Sequence, residues 1–233
     1  MPRVGTVRAS LLALVFACLA AAFACRYAVP DPVPGAAQYQ EPGWVAVPFG
    51  RASVFGGNLQ IARRDLDFDT RLGNVALGAV WNSADARWRY AFELTWDGAT
   101  FVDAFGTVYA AAGVADGQAF PGTAWVRVDA RTLRTKGGLV HEFDAAGRLA
   151  AVRFASGAYP RLEYQRAAVA GASRVVELRQ LSEAGAAARL ATFAYDASGR
   201  LAAVEDRAGR RAELTWDAGG RLVVARSRRP SVV

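Results

Sequence analysis

Hydrophobic and polar positions in this chain alternate with a period of two over short runs, and no segment sustains a period of 3.6. The clearest run is Trp88-Arg-Tyr-Ala-Phe-Glu-Leu-Thr-Trp96. Trp88, Tyr90, Phe92, Leu94 and Trp96 fall on one side; Arg89, Ala91, Glu93 and Thr95 fall on the other. That predicts one continuous strand with a single buried face. Val75, Leu77 and Trp81 predict a neighbouring strand of the same kind. Asp97-Gly98 predicts a tight turn into Phe101-Val102. Further strands are predicted at 125–128, 139–143, 149–154, 161–164, 174–181, 190–195, 201–205, 211–216 and 222–225. The Ala- and Gly-rich stretch 110–123 reads as a loop. Residues 183–190 contain good helix formers, but Gly185 interrupts them and a long hairpin loop is expected. The predicted fold class is all-β, an antiparallel meandering sheet of hairpin repeats forming an open or partly curled strip.

One short motif recurs three times: Phe143-Asp-Ala-Ala-Gly-Arg-Leu149, Tyr195-Asp-Ala-Ser-Gly-Arg-Leu201 and Trp216-Asp-Ala-Gly-Gly-Arg-Leu222. Its Asp can bond backbone two residues on, and its Gly supplies the positive φ that closes a turn with a bulge. The aromatic and the Leu belong to the flanking strands. Asp103-Ala-Phe-Gly106 and Asp206-Arg-Ala-Gly209 share the Asp-x-x-Gly core. The predicted repeat-turn residues are therefore Asp144, Gly147, Arg148, Asp196, Gly199, Arg200, Asp206, Gly209, Arg210, Asp217, Gly220 and Arg221. Phe143 to Tyr164 and Tyr195 to Trp216 both span 21 residues. Tyr164 is followed by Gln165 rather than Asp, so that copy is degenerate, and the stretch up to Tyr195 holds an insertion. Such self-similarity predicts a modular architecture.

These motifs resemble the YD repeat of the Rhs/YD-repeat family, over residues 141–228. Gly57-Asn-Leu, Arg64-Asp-Leu-Asp-Phe, Trp81-Asn-Ser and the run from Trp88 to Trp96 resemble the segment leading into an Rhs shell. The resemblance implies strips of β-sheet that spiral into a hollow shell in longer relatives, some of which enclose a toxic C-terminal domain. It also implies cell-adhesion or carbohydrate-binding roles. With about four units, this chain is expected to form a strip that a partner completes. A truncated or accessory component of an Rhs-type toxin-delivery system is an alternative.

Composition refines the picture at the N-terminus. Arg3 and Arg8 precede an apolar run from Ala9 to Ala24, a signal-peptide pattern ending in the small-x-small cleavage signal Ala22-Phe-Ala24. Cys25 follows directly. Cys18 lies within the signal, so Cys25 would be the only cysteine left, unable to form an internal disulfide. Lipidation of Cys25 explains it best; simple secretion is the second choice. Val29-Pro-Asp-Pro-Val-Pro-Gly35 reads as a stiff tether. The expected organisation is signal peptide 1–24, tether 25–48, an Rhs-like N-terminal β region 49–138 and a YD-repeat β region 139–233. The expected location is the bacterial cell envelope, as an outer-membrane lipoprotein held to the membrane by its lipid anchor.

The formal charge is +7, from 28 basic and 21 acidic residues. Its arginines are spread through turns rather than clustered on a helix, so nucleic acid is not an expected partner. His141 is the only histidine, and a stacked or sheet-surface role is expected for it rather than catalysis. Asp65, Asp67 and Asp69 would share one face of a strand, flanked by Arg63, Arg64 and Arg71; an Arg-paired surface is expected there rather than a Ca²⁺ site. Neither a phosphate loop nor a nucleophile elbow appears. No catalytic residue, cofactor or metal is assigned. Arg148, Arg200, Arg210 and Arg221 are expected to pair with carboxylates of adjacent units. Tyr195 and Trp216 are core rungs that could also stack on a glycan. The expected function is non-catalytic binding or structure through a sheet that pairs with a protein partner or a second copy.

Overall fold

The computed structural model describes residues 44–47, 50–53 and 58–228. The signal peptide, its cleavage signal, Cys25 and most of the tether lie outside those residues. The chain forms three antiparallel sheets in which every strand pairs with its sequence neighbour. The first contains β1 (Trp44–Val47), β2 (Gly50–Ser53), β3 (Leu59–Thr70), β4 (Gly73–Asn82) and β5 (Arg87–Tyr90). The second is small: β6 (Thr95–Trp96), β7 (Thr100–Val102) and β8 (Val108–Ala110). The third is a meander of ten strands. They are β9 (Trp125–Asp129), β10 (Thr132–Thr135), β11 (Leu139–Phe143), β12 (Leu149–Phe154), β13 (Arg161–Val169), β14 (Ala172–Leu181), β15 (Ala187–Tyr195), β16 (Leu201–Asp206), β17 (Arg211–Trp216) and β18 (Leu222–Arg228). The all-β, open meander read from the sequence is the fold observed.

Three local expectations need correction. The run Trp88–Trp96 is not one strand. Glu93 reaches back so that its Oε2 accepts the Tyr90 N–H at 2.9 Å, closing a 3-10 turn over Ala91–Glu93. Burial nevertheless keeps the predicted alternation: Tyr90, Phe92, Leu94 and Trp96 are all buried and Thr95 is exposed. Asp65, Asp67 and Asp69 do not share a face. A bulge between Arg64 and Leu66 takes Asp65 out of the ladder, and its side chain is buried against Arg63 while that of Asp67 is 40% exposed. Finally, β1, β2, β8 and β10 have no counterpart among the predicted strands, and β1 lies within the stretch read as tether. The insertion resolves into long hairpins: the degenerate copy at Tyr164 continues as strand to Val169, turns at Ala170-Gly171, and returns.

One apolar core joins the sheets. Phe92 stacks on Tyr90 with centroids 5.2 Å apart and meets Phe193 of the third sheet edge-on at 5.1 Å. Phe101 of the second sheet meets Trp125 at 4.8 Å, and Trp96 meets Phe120 at 5.8 Å. Such rings dominate core energetics, and offset or edge-on pairs add about 0.5–1.5 kcal/mol beyond their buried area. Asn82 Nδ2 donates to Phe105 O at 2.7 Å, tying the first sheet to the second.

The two edges of the ten-stranded sheet differ. Along β9, the 111–123 loop acts as a partial strand: Arg127 N donates to Gln118 O at 2.9 Å, Gly117 N to Arg127 O at 2.7 Å, and Phe120 N to Trp125 O at 2.9 Å. Along β18, no strand pairs on the outer side among the described residues. Val223 of β18 is 56% exposed.

Candidate functional site

The repeat turns are built alike. In each, the Gly N–H donates to the Asp carbonyl, and the Asp N–H donates to the carbonyl of the Arg four residues on. Asp Oδ1 accepts that Arg's backbone N–H: at 2.9 Å for Asp144 and Asp196, and 2.8 Å for Asp206 and Asp217. Asp Oδ2 accepts the Arg Nε: 2.9 Å from Arg148, 2.8 Å from Arg200, 2.6 Å from Arg210 and 2.7 Å from Arg221. The turn glycines adopt φ between 72° and 77°, which L side chains adopt only at a cost. Each turn thus locks itself with charge-assisted bonds.

This corrects the expected role of the arginines. Carboxylate pairing is within each unit, not between units, and the connection between units runs to backbone. Arg200 Nη1 donates to Asp217 O at 3.0 Å, and Arg210 Nη2 donates to Asp67 O of the first sheet at 2.6 Å. The signal was available: Arg always follows the turn Asp by four residues, the spacing that brings its Nε back to the carboxylate. In the Asp103 turn no Arg is present, and the Tyr109 hydroxyl donates to Asp103 Oδ2 at 3.2 Å instead.

Electrostatics follow from these bonds. Burial pushes the Asp144 carboxyl up, but the Arg148 N–H and guanidinium outweigh it and hold it below its ordinary value. Asp196 behaves in the same way with Arg200. The Asp217 carboxyl is held low chiefly by the Arg221 backbone N–H. His141 is buried, packs edge-on to Trp125 at 4.7 Å, and is pushed down to about 4 by burial, so it is neutral at pH 7. It is a buried residue set edge-on to a ring, rather than the stacked or sheet-surface histidine expected from the sequence. Among the described residues, no group of His, Cys, Asp and Glu could hold a metal ion. Likewise no helix among them is long and apolar enough to cross a membrane.

A cavity of about 300 Å³ opens where the first sheet meets the repeats. The repeats supply Tyr195, Gly199, Arg200, Leu201, Trp216 and Gly220. The first sheet and its 3-10 turn supply Arg87, Trp88, Tyr90, Phe92 and Glu93, and β14 adds Arg174. Both candidate stacking residues therefore line one cavity. Their polar tips are already committed: Tyr195 OH donates to Val175 O at 2.6 Å and Trp216 Nε1 to Leu201 O at 2.7 Å. Burial pushes the Tyr195 hydroxyl pKa well up. The other walls come from positions far apart in sequence, and nothing in their local pattern announces that they meet.

Residues 195–230, which include three of the four locked turns, match the family model described as RHS Repeat. The chain carries an RHS repeat, as Tyr195-Asp-Ala-Ser-Gly-Arg-Leu201 and Trp216-Asp-Ala-Gly-Gly-Arg-Leu222 suggested. No curated protein matches the chain. The crystal structure of TcdB2-TccC3-TEV is similar at 14% identity over 79% of this chain and 10% of that one, with a TM-score of 0.33. That of TcdB2-TccC3 without its hypervariable C-terminal region is similar at 16% identity over 80% and 10%, with a TM-score of 0.31. This chain spans about a tenth of the length of those chains.

Proposed function

We propose that the chain is a non-catalytic structural module of the cell envelope whose sheet is completed by a partner strand along β18. The RHS repeat fits a structural role, or a place in an Rhs-type assembly, and an extracellular or envelope-associated location. The observation that carries the reading is the contrast between edges. An exposed strand edge is a template for another chain, and among the described residues β9 is covered by the 111–123 loop whereas nothing pairs with the outer side of β18. Arg226 is exposed on that strand, while Arg221 before it is matched by Asp217. Two such edges would repel, so another YD-repeat chain with acidic residues on its edge fits better than a second copy. Size-exclusion chromatography with light scattering on protein purified from its native host tests this. A particle larger than the monomer, with a second chain present, is expected; a strict monomer with nothing co-purifying would count against it.

Export and lipid anchoring at Cys25 form part of the proposal and rest on the sequence pattern of residues 1–25. Mass spectrometry of the mature N-terminus should find a diacylglyceryl-modified Cys25. A free thiol there would remove the anchor. The carbohydrate-binding alternative is supported by the cavity that Tyr195 and Trp216 line. Since both side chains also anchor backbone, replacing them would disturb packing, and other wall residues test that reading better.

A further inference from the structure

The cavity beside the repeat turns combines aromatic walls with an excess of positive charge. Arg87 and Arg174 both approach Glu93 Oε1, at 3.4 and 3.9 Å. The other oxygen of Glu93 already accepts the Tyr90 N–H. One carboxylate is thus shared by two guanidinium groups, and neither reaches the distance of about 2.8 Å typical of a good Arg–carboxylate pair. Arg200, also in the wall, is matched by Asp196, which leaves two cations facing one anion. Trp88, Tyr195 and Trp216 supply ring surface, and the polar atoms of the last two point into backbone. At about 300 Å³, the volume lies at the small end for ligand sites and suits a single substituted ring.

We propose that this cavity binds a carboxylate carried on a six-membered ring, the carboxylate seated between Arg87 and Arg174 and the ring against Trp88, Tyr195 and Trp216. The planar guanidinium fork matches a carboxylate, and aromatic surface packs on a ring while excluding water. Acidic sugars and aromatic acids both carry this chemistry. The site stands apart from edge pairing at β18, and only its sugar form rests on the carbohydrate reading.

The test is an NMR titration of the whole purified protein, following the indole N–H signals of Trp88 and Trp216, with glucuronate, benzoate and glucose added separately. Saturable shifts with glucuronate or benzoate, and none with glucose, are expected. Glucuronate alone would identify an acidic sugar as the source, and benzoate alone an aromatic acid. Arg87→Gln, at a side chain 55% exposed, should weaken binding by about tenfold while leaving the melting temperature unchanged. Arg174→Gln should weaken it similarly, and added salt should weaken it in the parent protein. Equal binding of glucose and glucuronate, unaffected by Arg87→Gln, would overturn the carboxylate assignment while leaving a neutral-sugar site. Absence of saturable shifts with all three would remove the site altogether.

Discussion

The turn at Asp144 and the turn at Asp217 share one motif and one set of bonds but occupy opposite surroundings. At the first, Gly147 O accepts the Trp96 N–H at 2.8 Å, and a Cβ on Gly147 would lie 2.9 Å from Trp96 O. The neighbouring Leu149 is 1% exposed. At the last, among the described residues a Cβ on Gly220 would have one atom within 4 Å, Arg200 Nη1 at 3.9 Å, and the Arg221 side chain is 85% exposed. The same residues therefore make the same hairpin whether packed under a second sheet or tied to the neighbouring unit by the Arg200–Asp217 bond. What changes is the use made of it: the first turn holds the sheets together, and the last leads into the edge strand β18.

Substitutions in matched pairs should separate these two uses. Leu149→Ala should cost about 4 kcal/mol by denaturant unfolding, and Leu222→Ala, half-buried at the open end, about 1 kcal/mol. Equal costs would mean that β18 is as firmly packed as β12. Gly147→Ala adds backbone strain to a backbone clash and should cost about 3 kcal/mol, against about 1 kcal/mol for Gly220→Ala, where strain acts alone.

Acid should act on the docked end first. The folded-state pKa of His141 lies near 4, below its ordinary 6.5. The unfolded chain therefore binds more protons between these values, and stability falls by about 3 kcal/mol as pH drops from 6.5 to 4. His141→Gln should flatten the unfolding profile in that window; an unchanged profile would refute a buried neutral imidazole. The Asp144, Asp196 and Asp217 carboxylates are held low in the folded state. Their contribution is present above the ordinary carboxylate range and is lost only as pH falls through their depressed folded values. The smallest contrast is Asp206→Asn, at a side chain 2% exposed, which should cost about 2 kcal/mol. Asp217→Asn should cost visibly less, since water can replace the Arg221 contact.

Much of this was legible in the sequence because turns and period-two runs are local. Strands β11, β12 and β17 begin and end where the alternation and the Asp-x-x-Gly motif place them. What escaped depends on contacts between distant residues. Strand β10 offers one fully buried residue, Leu133, too little for a periodic signal. The break after Tyr90 depends on how Glu93 folds back, and the bulge at Asp65 on the register against β4. The cavity joins Arg87, Glu93 and Arg174 with the repeats, a meeting that exists only once the first sheet packs against the third. Tyr195 and Trp216 were visible as aromatic rungs, but the backbone anchoring of their polar tips was not.

If β18 is the working edge and β9 is not, a partner chain lies against β18 in the cell. Photo-crosslinking in cells tests it most directly, with a photoreactive residue at Val223 of β18 in one protein and at Val128 of β9 in another. Both positions are exposed, at 56% and 38%. A discrete adduct with a second chain is expected from position 223 and none from position 128. Adducts from position 128 alone, or from neither, would contradict it.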